Sequence, residues 1–283
     1  MLAFAERRKA TKVLRIEGKA NAAVARNVVL LHNTGSYLML LDGDTVLSHK
    51  FLEEGISEIQ AGTADSVNGA LQEQWYNIDN DPEGQPFFRI QVSPPHYVRT
   101  SGGSILLGPA VLQSGIVYDE RLRRGQDRDF ALQISEHMKL RRIPISIGTH
   151  LTYHYYSPQR IKDFYHNGYQ RPLGIFIRKH AVYPDRLWRI LQWEKGIVIG
   201  FGYYLLLLTS IVTTNIPIFL ALLFCVGIDF ARFMIQGRSH EFIPVRLASP
   251  LMVVQGLLGL GEPIPQYKVT QLIPPITENS ETS

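Results

Sequence analysis

The side chains best suited to chemistry lie in three short stretches of a 283-residue sequence. Asp42-Gly43-Asp44 directly follows the apolar run Tyr37–Leu41. Two carboxylates one residue apart, at the end of a buried strand, supply hard oxygen donors suited to a divalent cation that would neutralise a diphosphate. Gly43 lets the backbone bend and keeps side-chain bulk away from a ligand. The Asp-Gly dipeptide also serves ordinary β-hairpin turns, yet Leu38–Leu41 lacks the alternation of a half-solvated hairpin strand and helix-like residues come after it. The second stretch, Gly125-Gln126-Asp127-Arg128-Asp129, opens a helix-like segment. A carboxylate held in a cleft there could take a proton from an acceptor hydroxyl; acids at a helix start are equally accounted for by the helix dipole. The third stretch contains His150 and His154 among tyrosines. Such a histidine is more often a packing or surface residue, and His154 matters only if it joins the acidic turn at one cation.

These residues need a scaffold, and residues 1–150 alternate short apolar runs with helix-like stretches, as an α/β layer fold does. The pattern predicts a strand at Lys12–Ile16, a helix over Asn21–Asn33 and a strand at Tyr37–Leu41. A helix follows over His49–Gln60 with Ser48 as its N-cap, then further strands within 65–92, a helix over Phe130–Leu140 and a strand at Ile143–Ile147. The unalternating run at Leu38–Leu41 suits a strand covered on both faces of a mainly parallel sheet.

Composition points to a second region. Charged residues make up 19% of the chain, against about 25% in an average soluble domain. The deficit is concentrated: from Gly196 to Ile228 there is no formal charge, and the first to appear is Asp229. Thr213-Thr214-Asn215 and Pro217 split this run into Gly196–Val212 and Ile216–Ile228, the latter extending toward Ile235. Each half approaches the roughly 20 residues that span a bilayer core, so the expectation is a transmembrane helical hairpin; the alternative is two helices buried in a soluble core. Eight basic residues stand against three acidic ones between Arg160 and Lys195, and Arg232, Arg238 and Arg246 lie beyond the second helix. The positive-inside bias therefore puts both flanks in the cytoplasm, against anionic headgroups. Leu247–Leu260, interrupted by Pro250, Gly256 and Gly259, reads as interfacial or re-entrant, and Pro274–Ser283 as a disordered polar tail. The lone cysteine, Cys225, excludes an intramolecular disulfide, and MLAFAERRKATK is too short in apolar residues for a signal peptide. Basic residues gather beside the span rather than on an aromatic platform, which argues against nucleic acid as a partner.

The motif order resembles that of family 2 glycosyltransferases. Gly18-Lys19-Ala20-Asn21-Ala22-Ala23-Val24-Ala25-Arg26-Asn27, then Leu41-Asp42-Gly43-Asp44-Thr45 and Phe51-Leu52, are similar to that family's opening run. Gly102-Gly103-Ser104, Gly115-Ile116-Val117-Tyr118-Asp119-Glu120 and Gly125-Gln126-Asp127-Arg128-Asp129 are similar to its later motifs. The resemblance implies a GT-A-like fold, a nucleotide-diphosphate sugar donor and Mg2+ or Mn2+ as cofactor. It implies the metal at Asp44 with His154 completing the shell, Asp42, Arg26, Gly102 and Gly103 on the nucleotide side, and Asp127 as catalytic base of an inverting transfer to a lipid-linked or glycan acceptor. No Gln-x-x-Arg-Trp stretch is present, so the processive synthases match poorly. Two departures stand out. Gln126 replaces the family's glutamate, and the usual first strand, helix and second strand are missing, which would leave a hydrophobic sheet edge. The expected organisation is a glycosyltransferase domain over 1–190, a membrane hairpin over 191–235 and an interfacial segment with tail over 236–283, in the cell membrane with the catalytic domain cytoplasmic. The alternative is a non-catalytic membrane subunit or remnant that assembles with a partner chain.

Overall fold

The structure is a computed structural model that describes residues 13–77, 79–153, 168, 170–260 and 264–273. The predicted tail at Pro274–Ser283 and the histidine His154 lie outside the described residues.

Helix α1 (Ala22–His32) starts where expected because the Asn21 side chain accepts from the Val24 N–H at 3.0 Å, satisfying one of the orphan donors of the first turn. Two short strands follow, β2 (Leu38–Leu40) and β3 (Thr45–Leu47), joined by the acidic turn, with α2 (His49–Gln60) after them. Ser48 occupies the N-cap position of α2 without a side-chain cap bond. The main sheet then adds β4 (Ser66–Tyr76), β5 (Pro82–Ile90), β6 (His96–Tyr97), β7 (Ile105–Leu107) and β8 (Leu140–Tyr153), with α3 (Pro109–Gln113) and α4 (Gln126–His137) between the last two.

The expected mainly parallel sheet is instead mixed. Its path is β2-β7-β4-β8-β3, with β5 and β6 paired to β4 and β8, and only β4–β8 runs parallel. An unalternating apolar run reports that both faces of a strand are covered, not which way its neighbour runs. Leu38–Leu40 is such a strand, antiparallel to Ile105–Leu107. The β4–β8 ladder extends from the Ser66–Leu140 pair to the Tyr76–Tyr153 pair, so β8 far exceeds the predicted Ile143–Ile147. Helices close both faces. Leu40, Ile105, Leu107, Phe130 and Ile134 bury together on one side, and Phe51, Val67, Leu106, Ile143 and Ile147 on the other.

The first strand, β1 (Val13–Gly18), does not enter this sheet. It pairs antiparallel with β9 (Tyr267–Ile273), so the chain returns from its C-terminal region to its beginning, which the division at residue 236 does not include. β2 is one end of the sheet path, at three residues a short edge.

Helices α5 (Arg171–His180) and α6 (Pro184–Trp193) lead into α7 (Lys195–Thr213) and α8 (Ile216–Ile235). The last two are long and apolar enough to cross a membrane. Asn215 caps α8, accepting from the Ile218 N–H at 3.1 Å, and Thr214 turns the chain at a φ of 49°. Leu205, Leu208, Ile211, Leu220, Phe224 and Ile228 remain exposed along the pair. Helices of a soluble core would cover such side chains, whereas a hairpin in hydrocarbon need not. The third apolar stretch is helical too: α9 (Ser239–Phe242), a π-helical turn at Ile243–Ala248, and α10 (Ser249–Leu257). It folds back by glycine contacts. A Cβ on Gly174 of α5 would overlap the Val253 carbonyl, one on Gly256 the Arg171 carbonyl, and one on Gly200 of α7 the Arg246 carbonyl.

Candidate active site

The turn Asp42–Asp44 joins two strands that do not pair with each other: β2 lies against β7, while Thr45 lies opposite His150 of β8. It is therefore not a hairpin turn. The Thr45 N–H closes it on the Asp42 carbonyl at 3.0 Å. Its two carboxylates then face different partners.

Asp42 is held by Arg26, whose Nη2 lies 2.5 Å from Asp42 Oδ1. Arg26 sits on the covered face of α1 with its guanidinium 5.4 Å from the centre of the Tyr118 ring. Its Nη1 is buried without a hydrogen-bond partner. The next residue fixes where Tyr118 lies: the Asn27 amide accepts from the Tyr118 N–H at 2.8 Å and donates to the Tyr118 carbonyl at 2.9 Å. Tyr118 then stacks on Phe130 of α4, ring centres 4.0 Å apart. Gly103 closes over the ion pair. A Cβ there would overlap Asp42 Oδ2 and come within 2.5 Å of Arg26 Nη2, whereas Gly102 faces open space. The loop carrying both is pinned by Asn68, which donates to Ser101 Oγ at 2.6 Å, and by Arg142, which donates to the Thr100 carbonyl at 3.1 Å. Gly103→Ala is accordingly expected to cost about 1–3 kcal/mol of stability by overpacking, with Gly102→Ala nearly silent. Denaturant unfolding of both variants tests this, and equal midpoints would show that the loop yields freely.

Asp44 turns the other way. His150 Nε2 lies 3.2 Å from Asp44 Oδ2, and its Nδ1 lies 3.2 Å from Glu73 Oε1, which also accepts from Arg89 at 2.6 Å. Glu73 is buried and Asp44 about half exposed. Thus His150 touches the acidic turn, and the expected His154 lies outside the described residues. Among those residues no group of three or more His, Cys, Asp or Glu side chains is arranged to hold a metal ion. The Asp44 carboxylate still fits a hard cation such as Mg2+, which commonly keeps its waters and takes one or two carboxylates plus substrate phosphates.

Asp127 is the second residue of α4, after Gly125 at a φ of 77°. The backbone N–H groups of Asp127 and Arg128 bond its carboxylate, but burial outweighs them and pushes its pKa above the usual carboxylate range, with the charges of Arg128 and Arg26 pulling it part of the way back. Burial also raises the Tyr118 hydroxyl; Arg26 opposes this, while Asp127 and Asp42 add to it. Arg26 and Tyr118 thus lie in the fields of both Asp127 and the Asp42 side of the turn. The Tyr118 hydroxyl and Gln126 Oε1 are buried without hydrogen-bond partners.

The family model described as Glycosyl transferase family 2 matches residues 2–105, a span that contains Arg26, Asp42, Asp44, Gly102 and Gly103 and ends before Asp127. The solved structures similar to the chain include two of residues 1–349 of S. aureus TarS. The one in complex with UDP is 17% identical, with a TM-score of 0.37, over 56% of this chain and 45% of that one. The other is 15% identical, with a TM-score of 0.36 and the same coverage. The chain therefore spans under half the length of these two. No curated protein matches it.

Proposed function

We propose that the chain is a membrane-anchored, metal-dependent inverting glycosyltransferase that moves a sugar from a nucleotide diphosphate to a hydroxyl of a lipid-linked or glycan acceptor. The observation that supports this reading is the match of residues 2–105, which hold the Arg26–Asp42 ion pair and Asp44, to the model described as Glycosyl transferase family 2.

In this reading Asp42 and Arg26 face the nucleotide side, with Gly102 and Gly103 admitting the donor closely. Asp44 is the carboxylate that would hold Mg2+ or Mn2+, which supplies neutralisation of the diphosphate charge when bound. The Asp127 carboxylate takes the proton of the acceptor hydroxyl as its oxygen bonds the anomeric carbon. The bond from that carbon to the diphosphate breaks on the opposite face, which inverts the configuration. A carboxylate lifted by burial is the stronger base for that step. The exposed apolar hairpin and its basic flanks support membrane anchoring, with the catalytic side cytoplasmic by the positive-inside bias.

The test is binding of UDP- and GDP-sugars to the detergent-solubilised chain with and without Mn2+, followed by transfer to lipid-linked acceptors. Metal-dependent binding that weakens about 10-fold or more in Asp44→Asn is expected. Absence of donor binding in the wild type would refute the reading, and binding without turnover, together with co-purification of a partner enzyme, would favour the non-catalytic subunit.

A further inference from the structure

Asp127 begins three consecutive side chains that leave α4 in different directions, and the third meets a fully buried histidine. Asp129 is 0% exposed and so is His180 of α5. Asp129 Oδ1 accepts from His180 Nε2 at 2.8 Å, and Oδ2 accepts from Lys179 Nζ at 2.8 Å and from Gln133 Nε2 at 2.9 Å. Behind the imidazole, Arg186 Nη1 of α6 lies 3.1 Å from His180 Nδ1, and Arg186 also pairs with Glu136 of α4. A guanidinium only donates, so Nδ1 must carry the lone pair; the proton is then on Nε2 and is given to Asp129. The ring is thus held neutral in one tautomer between a cation and an anion. The middle side chain, Arg128, reaches Glu194 at 2.7 Å, the residue between α6 and the first membrane-spanning helix. Beneath these bonds Leu132 of α4 packs in one cluster with Leu173, Ile175, Phe176, Ile190, Ile197 and Val253. A helix dipole asks only for an acid in the first turn. It explains neither the complete burial of Asp129 nor its full set of donors.

We propose that His180 is a positioning residue for Asp127: through Asp129 it docks the first turn of α4 on the helix pair that leads into the membrane, so that the anchor sets where the base stands. This rests on the reading of Asp127 given above. The role is to hold geometry, so its loss falls on kcat. His180→Leu is expected to lower kcat about 100-fold, the effect of an ångström-scale misplacement, with the donor KM within about 3-fold. His180→Gln keeps one N–H for Asp129 and one oxygen for Arg186, and is expected to stay within about 5-fold of wild type.

The experiment combines these variants with 15N NMR of histidine-labelled full chain in detergent, where His180 should show a protonated Nε2 and an unprotonated Nδ1. Should His180→Leu fail to fold, Arg186→Met leaves the Asp129–His180 bond in place and is expected to release the tautomer and lower kcat about 10-fold. An Nδ1–H or doubly protonated ring, wild-type kcat in His180→Leu or in Arg186→Met, or a Gln variant as poor as the Leu one would each overturn the proposal. A wild type that binds no donor and transfers nothing refutes the reading of Asp127 and this role with it. The NMR signature separates that failure from a wrong hydrogen-bond assignment.

Discussion

Asp127→Asn is expected to lower kcat for sugar transfer about 10²–10⁴-fold, the range ascribed to a general base, while donor affinity stays within about 3-fold. The amide keeps the shape of the side chain and can still accept from the N–H groups of the first turn, but it cannot take the acceptor's proton. In the proposed reading donor binding falls instead to Arg26, Asp42 and Asp44. The stability of the variant supplies an independent check. Burial raises the Asp127 pKa in the folded chain, so the protonated form is the one folding favours. Its contribution to stability is fully present below the ordinary carboxylate pKa and is lost as pH rises toward the folded value. At neutral pH the charged carboxylate is therefore a cost to folding, and Asp127→Asn should unfold at the same temperature as wild type or higher. The same shift moves the acid limb of the wild-type pH–rate profile upward, because transfer needs the ionised form. Steady-state kinetics across pH with thermal unfolding of both proteins would check all of this. Unchanged transfer in the variant would remove Asp127 from the mechanism, and a drop in melting temperature parallel to the activity loss would assign it a structural role instead.

The acidic turn and the two long apolar helices were legible in the sequence because each is a local signal. A Gly between two Asp residues after an apolar run, or thirty-odd residues without charge, needs no knowledge of distant contacts. Strand direction was not legible, since the apolar pattern of Leu38–Leu41 records covered faces alone. The same limit explains the histidines. Reading β8 as Ile143–Ile147 put His150 in a following loop, yet the ladder with β4 carries the strand on to Tyr153 and sets His150 opposite Glu73 and Thr45. Pro144, Gly148 and the polar residues at Arg141, Arg142 and Thr149 break the local periodicity there, and long-range pairing overrides it. The roles of His180, Glu73 and Asn27 were invisible for a related reason. Their partners lie 51, 77 and 91 residues away, and nothing near them in sequence marks the contact. Asp129 was seen beside Asp127, but nothing local told it from any acid in a first helical turn. Only the folded chain shows Asp129 tied to Lys179 and His180 of α5.

The charge that ends the apolar run leads to the second large effect. Asp229 of α8 accepts from Arg246 Nε at 2.6 Å and from the Tyr203 hydroxyl at 2.9 Å, joining both long apolar helices to the π-helical turn at Ile243–Ala248. The carboxylate and guanidinium are 13% and 11% exposed, so neither has water as a substitute partner. Gly196 and Gly200 make room for this segment, since a Cβ on either would collide with Arg246 atoms. Arg246→Met is expected to destabilise the folded hairpin by about 3–5 kcal/mol, the cost of leaving one member of a buried pair without its counter-charge. Removing the whole polar set should behave differently. In Tyr203→Phe/Asp229→Leu/Arg246→Met no buried charge is left over, and stability should return to the wild-type value or exceed it, as apolar replacement of buried ion pairs commonly does. Reversible unfolding in mixed micelles measures both. A single variant as stable as wild type would show that water or headgroups reach Asp229. A triple variant as weak as the single one would mean that the pair contributes net attraction to the fold beyond relieving an unpaired charge. The expected pattern, a large loss followed by recovery, would mean the ion pair dictates where the returning helix docks more than how tightly. In the proposed mechanism that docking would matter for transfer, because α10 lies on α5, whose His180 bonds Asp129 in the turn that bears Asp127.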